Sequence, residues 1–268
     1  RMNHSSTYLE PYAKAPYGLP SRLDMQGDAY HLLGRLERNV SDDINLSLQS
    51  FFDYQSQRTR TPSKVDPSKR LWSDLSVSTY DLEFAATLNT IKNHSIVTGL
   101  GYRLIADSFT QSRNVQLPDS DRVANVFNAF VQDEITLIKK GLWLTLGTKL
   151  EHNSYVGLQV QPTARLRASL TDDLEFWAAV SRAVRTPSRF EDSGRYLRFL
   201  AAPGSAANPS AIPAFLEVLG NPNFSSIGLI SYESGLRVDL PYEGSLDISG
   251  YYNDYNGFRT GISGRPSL

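Results

Sequence analysis

The sequence predicts an all-β protein, an antiparallel transmembrane β-barrel, on three observations. Extended stretches alternate apolar with polar residues, the connectors between them swing regularly between short and long, and no apolar run approaches the ~20 residues of a membrane-spanning helix. Strands closed into a barrel are then the remaining way for the chain to cross a bilayer, because lipid offers the backbone no hydrogen-bond partners.

About ten stretches carry the alternation. Residues 30–38 open the series. In residues 44–54, Ile44, Leu46, Leu48, Phe52 and Tyr54 fall on one side of an extended chain and Asn45, Ser47, Gln49 and Asp53 on the other. Residues 80–88 and 96–106 follow. Residues 123–137 are assigned as a strand on length and flanking turns, since Asp133 and Glu134 put one carboxylate on each side. Leu142, Leu144, Leu146 and Leu150 then oppose Thr145, Lys149 and Glu151. The pattern is cleanest in residues 158–170, where Val160, Pro162, Ala164, Leu166, Ala168 and Leu170 oppose Gln161, Thr163, Arg165, Arg167 and Ser169. Residues 174–183, 230–238 and 246–255 complete the set.

Between alternate stretches lie Ser41-Asp42-Asp43, a looser turn near Asn93, Lys139-Lys140-Gly141, Thr171-Asp172-Asp173 and Pro241-Tyr242-Glu243, all short and polar. The other connectors are longer: residues 55–74, 107–122, a brief one at 153–157, and 185–228. Outer-membrane barrels place short turns on the periplasmic side and long loops outside, so the long connectors are assigned to the exterior.

Composition narrows the function classes. Lys and Arg number 27 against 28 Asp and Glu, a balance that argues against a nucleic-acid binder driven by phosphate neutralisation. The absence of cysteine removes disulfides, thiolate metal sites and a Cys nucleophile. The 14 Tyr and 12 Phe against 2 Met suit strands and interfacial girdles. His4, His31, His94 and His152 are scattered, and neither a Gly-x-Ser-x-Gly elbow nor a phosphate loop occurs, so no enzyme and no resident cofactor is expected. Gly99-Leu100-Gly101 lacks the third glycine of a dinucleotide fingerprint and reads as tight packing or a bend. Asp119-Ser120-Asp121 reads as a polar loop tip before it reads as a calcium site.

The chain starts without an apolar signal core and stops in a loop-like segment, and an open half-barrel would leave unpaired edges in lipid. The expectation is one partial barrel domain over residues 1–268, truncated at both ends, or one piece of an assembly that supplies the rest.

Several passages carry a resemblance. Phe130-Val131-Gln132-Asp133-Glu134-Ile135-Thr136-Leu137, then Leu144-Thr145-Leu146-Gly147-Thr148-Lys149-Leu150-Glu151-His152, then Val160-Gln161-Pro162-Thr163-Ala164-Arg165-Leu166 form the first group. Trp177-Ala178-Ala179-Val180-Ser181-Arg182-Ala183-Val184-Arg185-Thr186-Pro187-Ser188-Arg189 follows, and after the long connector come Asn221-Pro222-Asn223-Phe224, Ser231-Tyr232-Glu233-Ser234-Gly235 and Tyr251-Tyr252-Asn253-Asp254-Tyr255. In order and spacing this resembles the middle of the barrel of TonB-dependent outer-membrane receptors, over roughly residues 123–260 by motif and earlier by pattern.

The resemblance implies a barrel of roughly 22 strands, about half of it here. It implies residence in the bacterial outer membrane among its lipids. The implied function is uptake of a scarce ligand, most often an iron chelate (a ferric siderophore), otherwise cobalamin or carbohydrate. Iron enters only as part of that ligand, and the energised step runs through TonB and a plug domain that nothing in this chain resembles. One departure stands out: Ser226-Ile227-Gly228 occupies the place where family members usually carry an acidic residue after the Asn-Pro-Asn turn.

For ligand contact the candidates are Arg185, Arg189, Phe190, Arg195, Tyr196 and Arg198, at the start of and within the longest connector. Guanidinium forks match carboxylate geometry, and binding residues gather on long loops held by rigid scaffolds. Each arginine, Arg182 included, has a plainer alternative in pairing with wall carboxylates or lipid phosphates. Pro187 is expected to fix where the strand ends. Arg165, Arg167, Lys149 and Glu151 are expected to pair with one another or with a plug. Tyr251, Tyr252, Tyr255 and Phe258 are expected in an interfacial girdle. Two rival functions remain: a passive porin-like channel, and a soluble all-β protein such as a propeller or sandwich, which would enclose Leu144, Leu146 and Leu166.

Overall fold

The structure is a computed structural model that describes residues 2–9, 21–62, 70–110, 115–201, 203–206, 208–212, 214–258 and 261, the side chains of 2–9, 21–23, 61–62, 70–71, 197–200 and 215 excepted. Its elements in chain order are β1 (Met2–Leu9), β2 (Ser21–Ser41), β3 (Ile44–Pro62), β4 (Arg70–Leu88), β5 (His94–Phe109), β6 (Val115–Gln116), β7 (Asp121–Ile138), β8 (Leu142–Asn153), β9 (Gly157–Ser169) and β10 (Leu174–Arg185). There follow the short helix α1 (Arg189–Ser193), β11 (Arg195–Ala201), β12 (Ala214–Leu219), β13 (Ile227–Leu240) and β14 (Gly244–Asn256). Eleven strands form one antiparallel up-and-down sheet in the order β1-β2-β3-β4-β5-β7-β8-β9-β10-β13-β14, while β12-β11-β6 make a separate three-stranded sheet.

The alternation read from sequence is what divides the sheet into two surfaces. Leu48, Phe84, Leu100, Ala129, Leu150 and Val160 stand directly opposite one another from β3 to β9. One residue along, Gln49, Glu83, Gly101, Asn128, Glu151 and Gln159 form the matching row on the other surface. We call the apolar surface outward and the polar one luminal. A one-residue register slip would exchange the two, which is why the pairing is so strongly specified.

No compact interior exists among the described residues. The accessible area is 18,723 Å², against about 11,700 Å² for a folded globular chain of this mass. Only Leu117, Ala124 and Ala201 are buried hydrophobics there. Leu146 and Leu166 are 45% and 36% exposed, and Leu144 is half-buried. A two-layer soluble core is thereby excluded, and the apolar rows require hydrocarbon to cover them.

All ten stretches anticipated from sequence are strands of this sheet, but their ends differ. The connector expected at residues 55–74 is largely strand, because β3 runs to Pro62 and β4 starts at Arg70. Gln55, Ser56, Gln57 and Arg58 are polar on both surfaces and give no hydropathy signal, yet the ladder continues through them. Crossing a bilayer takes ~9–11 residues, so these strands of 19 residues project well past the hydrocarbon. Unanticipated are β1, the small sheet and α1. The short turns use left-handed backbone at Asn93 (φ 66°), Lys140 (φ 62°), Tyr242 (φ 63°) and Glu243 (φ 60°), the last two in succession as in a type I′ hairpin.

Three local readings resolve. Gly99 and Gly101 mark close packing: a Cβ at Gly99 would lie 2.7 Å from the Phe130 ring, and one at Gly101 2.5 Å from the Asn128 amide. Asp133 points outward beside His94, whose Nδ1 is 2.6 Å from its carboxylate, while Glu134 faces the lumen opposite Ser95. The tyrosine girdle on β14 requires correction. Tyr252 is outward, opposite Tyr232, but Tyr251 opposes Glu233 and Tyr255 opposes Leu229 on the luminal surface, because odd and even positions of a strand diverge. Outward aromatic pairs occur instead at Tyr30–Tyr54 (5.9 Å), Phe52–Tyr80 (4.8 Å) and Tyr102–Phe127 (4.7 Å between centroids).

Candidate ligand-contact surface at the external mouth

The long connectors lie at the end of the sheet opposite the short turns, and the one after β10 carries α1, β11 and β12. Pro187 has no amide to continue the ladder, so β10 ends at Arg185, as the sequence indicated. Ser188 then caps α1: its hydroxyl accepts from the Glu191 amide (3.3 Å), and the Glu191 carboxylate accepts from the Ser188 amide (2.9 Å). This reciprocal capping box satisfies two orphan donors of the helix.

Arg185 closes the arrangement by donating from Nη2 to both Glu191 oxygens, at 3.0 and 2.8 Å. The Glu191 side chain is 5% exposed. Burial disfavours its charge, but the Ser188 amide, Arg185 and the Ser188 hydroxyl outweigh that and hold its carboxyl below the usual range.

Arg189 is the most enclosed of the candidate arginines with a described side chain, 9% exposed. It pairs with Asp107 of β5 and donates to the Asp119 carbonyl. Burial lowers its pKa from the ordinary guanidinium value. The Phe190 ring lies against Gly194 and its backbone carbonyl against Gly220, and neither glycine leaves room there for a side chain. Arg195 pairs with Glu217 of β12, and Tyr196 stands between Val115 of β6 and Val218 of β12, 39% exposed. Arg198 opposes Leu216 in the small sheet; its side chain lies outside the described residues. Arg182 donates to the Val160 carbonyl.

Residues that the sequence reading passed over complete the surface. Arg122 of β7 donates to Asp192 of α1 at 2.7 Å and lies 4.4 Å over the Tyr155 ring in the β8–β9 turn. Burial raises the Tyr155 pKa. Ser188 three places before Glu191 is a capping-box spacing legible in sequence, whereas the Arg122–Asp192 contact spans 70 positions and left no local trace. Ser226, at the departure from the family pattern, donates its hydroxyl to Gln159 of β9 at 3.3 Å. Asp121 accepts from the Ser120 hydroxyl at 2.7 Å, and among the described residues no cluster of metal-ligating side chains forms.

Below the mouth the luminal wall is knitted by charge. Lys149 meets Glu151 at 2.9 Å, Arg167 meets Glu175 at 3.2 Å, Arg103 meets Asp81 at 2.8 Å and Arg237 meets Asp247 at 2.7 Å. Arg167 also lies 3.9 Å over the Trp143 ring and Arg165 5.9 Å over Trp177.

An antiparallel up-and-down wall, apolar outside, polar within and elaborated at one rim, defines the barrel of an outer-membrane receptor. The chain belongs to the TonB-dependent receptor family: the family described as "TonB dependent receptor-like, beta-barrel" matches residues 3–268. Its members are outer-membrane transport receptors of Gram-negative bacteria, not enzymes.

The chain is similar to the ferric enterobactin receptor of Pseudomonas aeruginosa, 27% identical over 146 residues, covering 54% of this chain and 19% of that protein. It is similar to the ferrienterobactin receptor of Escherichia coli K12, 26% identical over 133 residues, covering 49% and 17%. In fold it is similar to a crystal structure of a mutant of the Pseudomonas receptor (TM-score 0.62, 18% identity, 89% of this chain and 35% of that one). It is likewise similar to the ferric-catecholate import receptor Fiu of E. coli (TM-score 0.62, 12% identity, 88% and 41%). The matched stretch thus spans under a fifth of those curated relatives.

Proposed function

We propose that this chain supplies wall and external recognition surface to an outer-membrane receptor that takes up a ferric siderophore with energy delivered through TonB. The observation that carries this reading is the family match along residues 3–268 together with relatives named as ferric enterobactin receptors. Iron is cargo in this reading, bound within the chelate, and no resident cofactor is assigned. Outer-membrane lipid is the partner of the apolar surface, and a plug domain is the partner of the charged luminal wall.

Arg185, Arg189, Phe190, Arg195, Tyr196 and Arg198 are proposed for ligand contact. Their surroundings differ: Arg189, 9% exposed, is held by Asp107 and the Asp119 carbonyl and shapes the surface, whereas Arg185 bonds Glu191 with its own side chain still 54% exposed. Tyr196 and the half-exposed Arg195 present themselves to a chelate. A similar structure, that of a mutant of the Pseudomonas receptor in complex with enterobactin, makes a catecholate chelate the first ligand to try.

The test is uptake of radiolabelled ferric enterobactin by iron-starved cells with and without the gene, in TonB-positive and TonB-negative backgrounds. Gene-dependent, TonB-dependent uptake supports the proposal. Gene-dependent permeation indifferent to TonB replaces it with the passive channel.

A further inference from the structure

Two ion pairs of opposite polarity tie α1 to strands far from it in sequence. Arg189, on the helix, meets Asp107 near the end of β5. Asp192, on the same helix, is met by Arg122 near the start of β7. The helix follows β10, and β8 and β9 lie between β10 and β7 in the sheet. At ~4.8 Å per strand the connector therefore reaches back about 14 Å across the mouth. It passes over the β8–β9 hairpin, whose turn places the Tyr155 ring under Arg122.

The reach-back segment is welded into one piece. Gly220 donates to the Gly194 carbonyl at 2.7 Å and Asn221 to the Glu191 carbonyl at 2.8 Å, joining the end of β12 to the helix. β11 pairs with β12 on one side and on the other with β6, which belongs to the β5–β7 connector. Two external connectors thus share a single small sheet.

Crossed polarity gives the attachment its register. Arg189 and Asp192 are three apart and share one helix face, so the helix offers one cation and one anion while the wall offers Asp107 and Arg122 in complement. Displacement along the wall would bring like charges together. The pairs are sheltered: exposures are 9% and 14% for Arg189 and Asp107, and 29% and 15% for Arg122 and Asp192. Asp107 and Arg122 are also directly opposed across the β5–β7 ladder, so the helix docks on an acid–base pair of the wall with its own acid–base pair in crossed order.

We propose that α1, β6, β11 and β12 form one cap, latched by this crossed pair over the β7–β9 sector of the mouth, and that breaking either pair releases the cap as a unit while the wall stays folded. The test is hydrogen exchange read by mass spectrometry on the protein in outer-membrane vesicles. Variants Asp192→Asn, Asp107→Asn and the charge-conserving Asp192→Glu are compared with the parent.

In both asparagine variants exchange at the amides of Asp192, Gly194, Gly220, Asn221 and the β6–β11 ladder is expected to rise together by about tenfold. Asp192→Glu, which keeps the charge, is expected to stay close to the parent, with the β8–β9 ladder unchanged throughout. Unchanged exchange in both asparagine variants overturns the latch. So does a rise of the same size in Asp192→Glu. A rise confined to the helix overturns the single cap, and a rise that spreads into β8 and β9 shows wall unfolding and overturns the release.

Discussion

The indole of Trp177 on β10 fills the space above Gly235 of β13, its directly opposed partner: a Cβ on Gly235 would lie 2.7 Å from Nε1 and 2.8 Å from the Ile248 carbonyl. Glycine is needed here by the approach of its neighbours, since the luminal surface packs an aromatic flat against the wall. Gly235→Val should displace Trp177 and destabilise the barrel by about 1–3 kcal/mol. The temperature at which the folded band converts to the unfolded one in detergent gels, with the tryptophan emission maximum as a second readout, checks this.

Val131 and Gln132 are neighbours on β7 with opposite fates. Val131 is outward and 45% exposed, and Gln132 faces the lumen opposite Gly147. Val131→Arg should cost about 2–4 kcal/mol, the range for a charge at the lipid midplane, and Gln132→Arg far less. Refolding titrations into lipid vesicles measure both. Equal costs would contradict the assignment of surfaces.

His94 and Asp133 place a polar pair on the outward surface, with side chains 32% and 25% exposed. Removing one partner strands the other against apolar neighbours, whereas replacing both by apolar residues removes the desolvation cost with the bond. His94→Leu alone should therefore destabilise by about 1–3 kcal/mol. The double variant His94→Leu with Asp133→Leu should return close to the parent in the same refolding titration.

The capping box of α1 should respond to acid. Glu191 has its pKa depressed in the folded state. Its contribution is therefore complete above the unfolded carboxylate value and is lost as pH falls through the lower folded value. Hydrogen exchange at Asp192 and Gly194, corrected for intrinsic rates, should rise on acidification below the ordinary range of a glutamate. In Glu191→Gln that dependence should be absent. Ser188→Ala should loosen the same helix by about 1 kcal/mol at neutral pH.

The wall was legible in the sequence because its physics is local. Leu142, Leu144, Leu146 and Leu150 against Thr145, Lys149 and Glu151 declare a strand with two environments, and the loci of Asp42-Asp43 and Lys139-Lys140 declare the hairpins. Where both surfaces are wet, as at Gln55-Ser56-Gln57-Arg58, composition ceases to distinguish ladder from loop, and the strands ran further than their alternation. At the mouth, residue types singled out the connector after β10 as a candidate and left the partners of its arginines unspecified. Arg185 and Arg189 are consumed by Glu191 and Asp107, and neither pairing has a hydropathy period to reveal it.

Alternation along the backbone determined, without coordinates, that the strands showing it turn one surface to hydrocarbon and the other to water, since side chains on a pleated strand have only two directions to take. Tertiary structure alone decided which charges neutralise one another across the mouth. Arg122 and Asp192 are 70 positions apart, and their meeting depends on a connector folding back over two intervening strands.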